Sequence, residues 1–163
     1  MIDPTSFTFF VVVIGVALLF ELSNGFNDAA NSIATVVSTR VMSPLQAVLM
    51  AAFMNFLGAI TGTAVAKTVG KGVVDPGALS GDFGMLTVGS GVLAAALWVF
   101  AATKIGMPVS GSHSLVSGVA GAGIAHGGWG VLVGGGITKI GLGLIFSPIL
   151  GLLFGYLIML SIY

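Results

Sequence analysis

Polar residues that could bind an ion are concentrated in NGFNDAANSIAT, residues 24–35, which directly follows the apolar run FTFFVVVIGVALLFEL. Residues with side-chain oxygen atoms recur at steps of three and four positions, as one face of a helix requires: Asn24, then Asn27 or Asp28, then Asn31 and Thr35. We expect this polar stripe to face away from Ala29, Ala30 and Ile33. Gly25 permits a kink or an unwound turn that would free backbone carbonyl groups.

A carboxylate beside amide and backbone oxygens is a typical binding site for a hard cation. The stripe therefore predicts a site for Na⁺, with Asp28 and Asn31 as ligands, or a proton carried by Asp28. The alternative is a helix end at the membrane interface with asparagine caps, where Asp28 avoids the cost of about 2.5–3.5 kcal/mol that a carboxylate meets at the bilayer centre. The three amides in the stripe favour the ion site.

A second group of polar residues lies in MPVSGSHSLVSG, residues 107–118, where Pro108 ends one segment just before a run of small and apolar residues. Backbone N–H groups, hydroxyls and the positive end of a helix dipole favour an anion at such a helix start. The residues expected to contact a phosphate or carboxylate are consecutive: Ser110, Gly111, Ser112, His113 and Ser114. The alternatives are ordinary serine capping, or an intramembrane serine hydrolase that pairs a serine with His113.

Composition decides the class of protein that must position these residues. Of 163 residues, 56% are hydrophobic and 6% are charged, and the mean hydropathy is +1.15, whereas a soluble domain has roughly 25% charged residues. The chain is therefore predicted to be an all-α polytopic protein whose main partner is the lipid bilayer. Its zero net charge excludes a basic surface for nucleic acid, and the absence of cysteine excludes thiolate metal sites. No cofactor is expected apart from a coupling ion.

Runs of about 20 apolar residues predict four full transmembrane helices: Pro4–Leu22, Pro44–Ala66, Phe83–Thr103 and Ile140–Ile162. Residues 67–82 form a polar loop with a DPG turn signal. Two stretches, 23–43 and 106–138, are predicted to be broken. The second is either a re-entrant hairpin of two half-length helices joined at HGGWG or a single interrupted crossing. Residues 1–163 are treated as one transmembrane unit.

Two residues near the first motif have open roles. Asn55 lies beside Gly58 and Gly62, a small-residue face that favours helix packing over a role in binding. Glu21 immediately precedes the polar run and is equally well interpreted as a cation ligand or as an acid at a helix end.

The two motifs together resemble those of the inorganic phosphate transporter family. GFNDAANSIAT is similar to the family signature GxNDxANxxxT, and PVSGSHS resembles its second motif, PVSTTHS, with Gly111 at a position that usually carries a hydroxyl. The resemblance implies an integral protein of the cell membrane, and phosphate symport driven by Na⁺ or H⁺. It implies that Asn27, Asp28 and Asn31 bind the cation or orient the site. The residues that it assigns to phosphate are Ser110, Ser112, His113 and Ser114. Arsenate, sulfate and metal–phosphate complexes stay open as substrates.

Members of that family usually carry the signature twice, in two halves arranged as inverted repeats, whereas this chain carries it once. The chain is thus expected to be a half-transporter that pairs with a second copy or a second half. The alternative is a non-transporting fragment or a structural or regulatory subunit. The cationic residues divide three to two between the two sides of the membrane for either path of residues 106–138, which orients the chain weakly and permits an antiparallel homodimer.

Overall fold

The structure is a computed structural model that describes residues 4–62, 72–75, 77 and 82–162. In these residues the chain forms five α-helices and one short 3₁₀ turn, Trp129–Val131. The helices are α1 (Pro4–Ser38), α2 (Pro44–Thr61), α3 (Asp82–Lys104), α4 (Gly111–Gly127) and α5 (Gly134–Ile162). Helices α1, α2, α3 and α5 are long and apolar enough to cross a membrane. The predicted all-α fold with four spans is confirmed.

Helix α1 is much longer than the predicted first span, so the predicted break is wrong for residues 23–38, whereas residues 39–43 lie between helices. Its 35 residues extend about 52 Å at 1.5 Å per residue, against a hydrocarbon core of about 30 Å. Gly25 stays helical. The helix ends in a Schellman motif with Arg40 in the left-handed region (φ 59°), where the Arg40 and Val41 N–H groups donate to the carbonyls of Val37 and Val36, both at 3.1 Å.

Helix α2 begins where Pro44 predicts. Ser43 is its N-cap and forms a reciprocal capping box with Gln46. The described helix ends at Thr61, and residues 63–66 of the predicted span lie outside the described residues. A Cβ added at Gly58 would meet no atom within 4 Å, so the packing role expected for this face is not seen among the described residues.

Helix α3 is the centre of the packed helices, and its bounds differ by one residue at each end from the prediction. In its most apolar stretch of 18 residues, 44% of the residues are buried, against 6% or less in the corresponding stretches of the other three candidate spans. Helix α1 runs parallel to it, because Val13 lies against Gly89 and Asn27 against Thr103. The buried hydrophobic cluster includes residues of α1, α3 and α4: Phe20, Val92, Ala95, Val99 and Val119.

Helix α4 packs antiparallel against α3. A Cβ added at Gly91 would lie 2.7 Å from Val119 Cα, and one at Gly118 would overlap the Gly91 carbonyl. The two helices therefore approach at a distance that only glycine permits at these positions. The predicted joint of the stretch 106–138 at HGGWG is confirmed: this turn, with Gly128 at φ 74°, separates one continuous 17-residue helix from the beginning of α5. Because α5 continues to Ile162, the second helix is not half-length. The path of this stretch through the membrane stays a prediction.

The predicted polar loop, residues 67–82, is only partly described. Val73 and Val74 are buried, so the expectation of an aqueous loop is wrong for these two residues. Val74 pairs with Leu132 in an isolated antiparallel bridge, and the Asp75 side chain accepts a hydrogen bond from the Gly77 N–H at 2.9 Å, which confirms the turn. Val74 and Val131 also lie against Gly123, near the end of α4. Because α4 is antiparallel to α3, the start of α5 lies toward the Asp82 end of α3, opposite Lys104.

Helix α5 begins six residues before its predicted start, at Gly134. In its most apolar stretch of 18 residues, no residue is buried. Its large apolar side chains are exposed from Leu142 onward, whereas Ile137 and Ile140 pack against the core. Many large apolar side chains of α1 and α2 are exposed as well. In a membrane these faces contact lipid or other protein helices.

Candidate functional site

A cleft of about 940 Å³ separates α1 from α2 and contains most of the predicted cation residues. Asn24, Asp28 and Asn31 line it from α1, as the helical spacing predicts. Its other polar residues are Glu21 and Ser32 on α1 and Asn55 on α2. The cleft thus offers two carboxylates and three amides within one polar space. These oxygen-bearing side chains are the ligand types that a hard cation prefers.

The polar stripe is less uniform than predicted. Ala29 and Ile33 line the same cleft, so the expectation that the stripe faces away from them is wrong. Thr35 does not line the cleft, and its backbone carbonyl accepts hydrogen bonds from the Ser38 and Thr39 hydroxyls at 3.0 and 2.7 Å.

Asn27 faces away from the cleft and is 8% exposed. Its Nδ2 donates to Thr103 Oγ1 at 2.9 Å and to the Met107 carbonyl at 3.2 Å. Its Oδ1 accepts the Val109 N–H at 3.1 Å. The structure therefore separates Asn27 from the other predicted cation ligands and places it against the connection between α3 and α4.

Asn24 connects the cleft to the second motif. Its Oδ1 is buried without a hydrogen-bond partner among the described residues. A Cβ added at Gly111 would overlap this oxygen, and Gly111 itself is buried. Gly111 stands where the family usually has a residue with a hydroxyl. In this structure a side chain at that position would overlap Asn24.

Two of the three predicted phosphate-binding serines make local bonds at the start of α4. Ser110 is the N-cap and accepts the His113 backbone N–H at 3.3 Å. The Ser114 hydroxyl donates to the Ser110 carbonyl at 2.8 Å. Ser112 and His113 are exposed. Ordinary capping therefore explains part of this motif and leaves the Ser112 hydroxyl and the His113 imidazole free of these local bonds.

A groove of about 550 Å³ between α3 and α4 contains Ser110, His113 and Ser114. Ser117, which was not predicted, lines it too, facing Trp98 of α3. Ser112 does not line this groove. The predicted cation residues and the predicted phosphate residues consequently line two separate cavities.

A comparison with known families decides the family to which the chain belongs. The phosphate transporter family, PHO4, matches residues 24–163, which contain both motifs. The chain belongs to this family. The family consists of transporters and not of enzymes, which removes the serine hydrolase alternative. The chain is an integral membrane protein.

Related proteins carry corresponding names. The chain is 41% identical over 148 residues to the probable low-affinity inorganic phosphate transporter of Bacillus subtilis, covering 91% of this chain and 44% of the relative. It is 43% identical over 155 residues to the protein of the same name from Streptomyces halstedii, covering 94% and 71%. The chain spans about half the length of several curated relatives that it matches.

A solved structure described as the sodium-dependent phosphate transporter has the same arrangement of helices. It matches with a TM-score of 0.87 and 34% identity, over 95% of this chain and 39% of that one. The helices that position both motifs here are therefore those of a phosphate transporter fold.

Sequence reasoning missed Thr103 and Ser117. Ser117 continues the serine spacing of the second motif at three and seven residues after Ser114 and Ser110, a helical pattern that could have revealed it. Thr103 carried no signal, because only the parallel packing of α1 and α3 brings it to Asn27.

Proposed function

We propose that this chain is one half of a cation-coupled inorganic phosphate symporter of the cell membrane. The observation that supports this best is the direct contact between the two motifs. Asn24, at the edge of the α1–α2 cleft, touches Gly111 at the start of α4. A site for a cation and a site for an anion are thereby held next to each other, as coupled binding requires.

In this proposal, Asp28 and Asn31 bind the coupling cation in the cleft, with Asn24 contributing from the adjacent turn. The cleft's carboxylates and amides suit Na⁺. The name of the sodium-dependent structural neighbour also favours Na⁺. A proton on Asp28 is the competing assignment, and a transport assay separates the two.

Phosphate is bound at the start of α4. Backbone N–H groups and the helix dipole attract the anion there, and the Ser112 and His113 side chains are exposed. Ser110 and Ser114 shape the cap, and Gly111 allows the close approach of α1. In this arrangement the helix dipole and hydroxyl groups bind phosphate without a lysine or arginine side chain. Such binding also permits the release of phosphate during transport.

A second half completes the site. Several relatives are about twice as long as this chain, and the apolar surface of α5 is uncovered. A second copy in antiparallel orientation, or a separate second half, would cover such a surface and supply the opposite wall of both sites. The pairing gives an inverted repeat, in which access alternates by rocking of one helix group against the other.

Uptake of radiolabelled phosphate into liposomes that contain only this chain tests the proposal. We expect uptake that follows either an inward Na⁺ gradient or a pH gradient, and competition by unlabelled phosphate that exceeds competition by sulfate. Arsenate in the same assay defines the substrate range. No uptake under any gradient, from protein shown to be folded, would contradict transport by this chain alone and favour a non-transporting partner subunit.

A further inference from the structure

The Asn27 side-chain amide forms hydrogen bonds to the end of α3 and to the connection between α3 and α4. Both Nδ2 hydrogens are donated, to the Thr103 hydroxyl and to the Met107 carbonyl, and Oδ1 accepts the Val109 N–H. Thr103 in turn donates to the Val99 carbonyl at 2.8 Å. These bonds connect the middle of α1 to the last turn of α3 and to the backbone on both sides of residue 108.

The position of these bonds gives them a role beyond packing. Residues 107 and 109 lie in the connection between α3 and α4, so the Met107 carbonyl and the Val109 N–H have no partner within a helix and need one from elsewhere in the protein. Asn27 supplies both. The next residue with a defined role is Ser110, the N-cap of α4. The orientation of the α4 start is therefore set by a side chain of α1.

Asn27 and Asp28 are neighbours on α1 but face different parts of the protein. Asp28 lines the α1–α2 cleft, and Asn27 holds residues 107 and 109. Since adjacent residues of a helix are rigidly related, a shift or rotation of α1 on cation binding moves both side chains together. The cleft and the serine motif are thus connected through one turn of helix.

We propose that Asn27 and Thr103 are positioning residues that couple cation binding in the cleft to phosphate binding at the start of α4. The proposal rests on the proposed phosphate symport. Neither residue touches phosphate. Together they hold the α3–α4 connection in the arrangement that binds the anion, and the cation stabilises that arrangement through α1.

Thr103→Val removes the hydroxyl with little change of volume, and Thr103→Ser restores it. In Thr103→Val, the phosphate concentration for half-maximal uptake rises roughly tenfold at saturating cation, because the part-buried bond from Asn27 is lost. The maximal rate per folded chain is retained. The dependence of this concentration on the cation weakens in the same variant. Thr103→Ser recovers both properties.

Hydrogen–deuterium exchange of the amides in residues 105–110 provides a readout independent of transport. We expect faster exchange in Thr103→Val than in the wild-type protein and in Thr103→Ser. Thr138→Val is the matched control, because the Thr138 hydroxyl donates to the Gly134 carbonyl one turn earlier in α5. Its exchange in residues 105–110 and its phosphate affinity should not change.

The outcomes separate this proposal from the proposed function. Unchanged exchange in Thr103→Val overturns the positioning role. Faster exchange with an unchanged cation dependence of phosphate affinity overturns the coupling role. If the wild-type chain transports no phosphate, transport by this chain alone fails and its coupling role fails with it, while faster exchange in Thr103→Val would still establish the positioning contact.

Discussion

At the scale of single residues, Asp28 is one of the two carboxylates, with Glu21, that α1 places in the cleft between α1 and α2. Replacing it with asparagine keeps the shape and removes the charge. We expect Asp28→Asn to abolish the stimulation of phosphate uptake by Na⁺ or by a pH gradient, because a coupling free energy of about 1–3 kcal/mol corresponds to a stimulation of about 5- to 150-fold. Liposome uptake at several cation concentrations measures this.

Asp75→Asn is the matched control for that experiment. Asp75 is exposed, lies outside the cleft, and accepts a hydrogen bond from the Gly77 N–H that an asparagine oxygen can also accept. It should keep the cation response of the unchanged chain. If phosphate uptake by Asp28→Asn is still stimulated by the cation, the role of Asp28 in cation coupling is contradicted.

The contact between Asn24 and Gly111 gives a second prediction at this scale. Gly111→Ala places a Cβ against Asn24 Oδ1 and should destabilise the fold by about 1–3 kcal/mol, as overpacking does. In the Asn24→Ala background the same substitution should cost much less, since the clashing oxygen is gone. Thermal unfolding of the four proteins in detergent forms the double-mutant cycle. Equal costs in both backgrounds would contradict a direct contact.

At the scale of helices, the close approach of α3 and α4 depends on Gly91 and Gly118. Gly118→Ala puts a Cβ into the Gly91 carbonyl and should lower the unfolding temperature, because backbone atoms on both sides must move. Gly121→Ala on the same helix meets no atom within 4 Å and should raise stability by up to about 1 kcal/mol through helix propensity. A fall in stability of similar size for both would show that glycine is needed for a reason other than this contact.

The spans could be predicted at this scale because a long apolar run crosses a bilayer as an α-helix. The start of α2 could also be predicted, because Ser43 is a typical N-cap and Pro44 is favoured in the first turn of a helix. The continuation of α1 through residues 23–38 could not be predicted. Its polar residues resemble a break in sequence, whereas in the fold the Asn27 amide has partners on α3 and on the connection to α4. Which amides face the cleft likewise depends on tertiary packing, and helical spacing alone does not separate Asn27 from Asp28.

At the scale of the whole molecule, the positions of cationic residues govern how the chain inserts. Arg40, after α1, and Lys104, at the end of α3, lie at one end of the parallel α1–α3 pair, and Lys139 lies near the start of α5 at the other end. Lys67 and Lys71 belong to the connection between α2 and α3 by sequence. Two charges against three give a weak positive-inside bias.

We therefore expect the chain to insert in both orientations and to form an antiparallel pair. The sequence has no cysteine, so single cysteines at Thr39→Cys and Gly130→Cys, exposed positions at opposite ends of the fold, can be labelled without background. An impermeant maleimide should label about half of each variant in intact cells and the rest after permeabilisation. Lys139→Ala should make the Arg40 end more often cytoplasmic, because it leaves the remaining charges in balance. Complete labelling of one position and none of the other would establish a single orientation and rule out the antiparallel homodimer, leaving a separate second half as the partner.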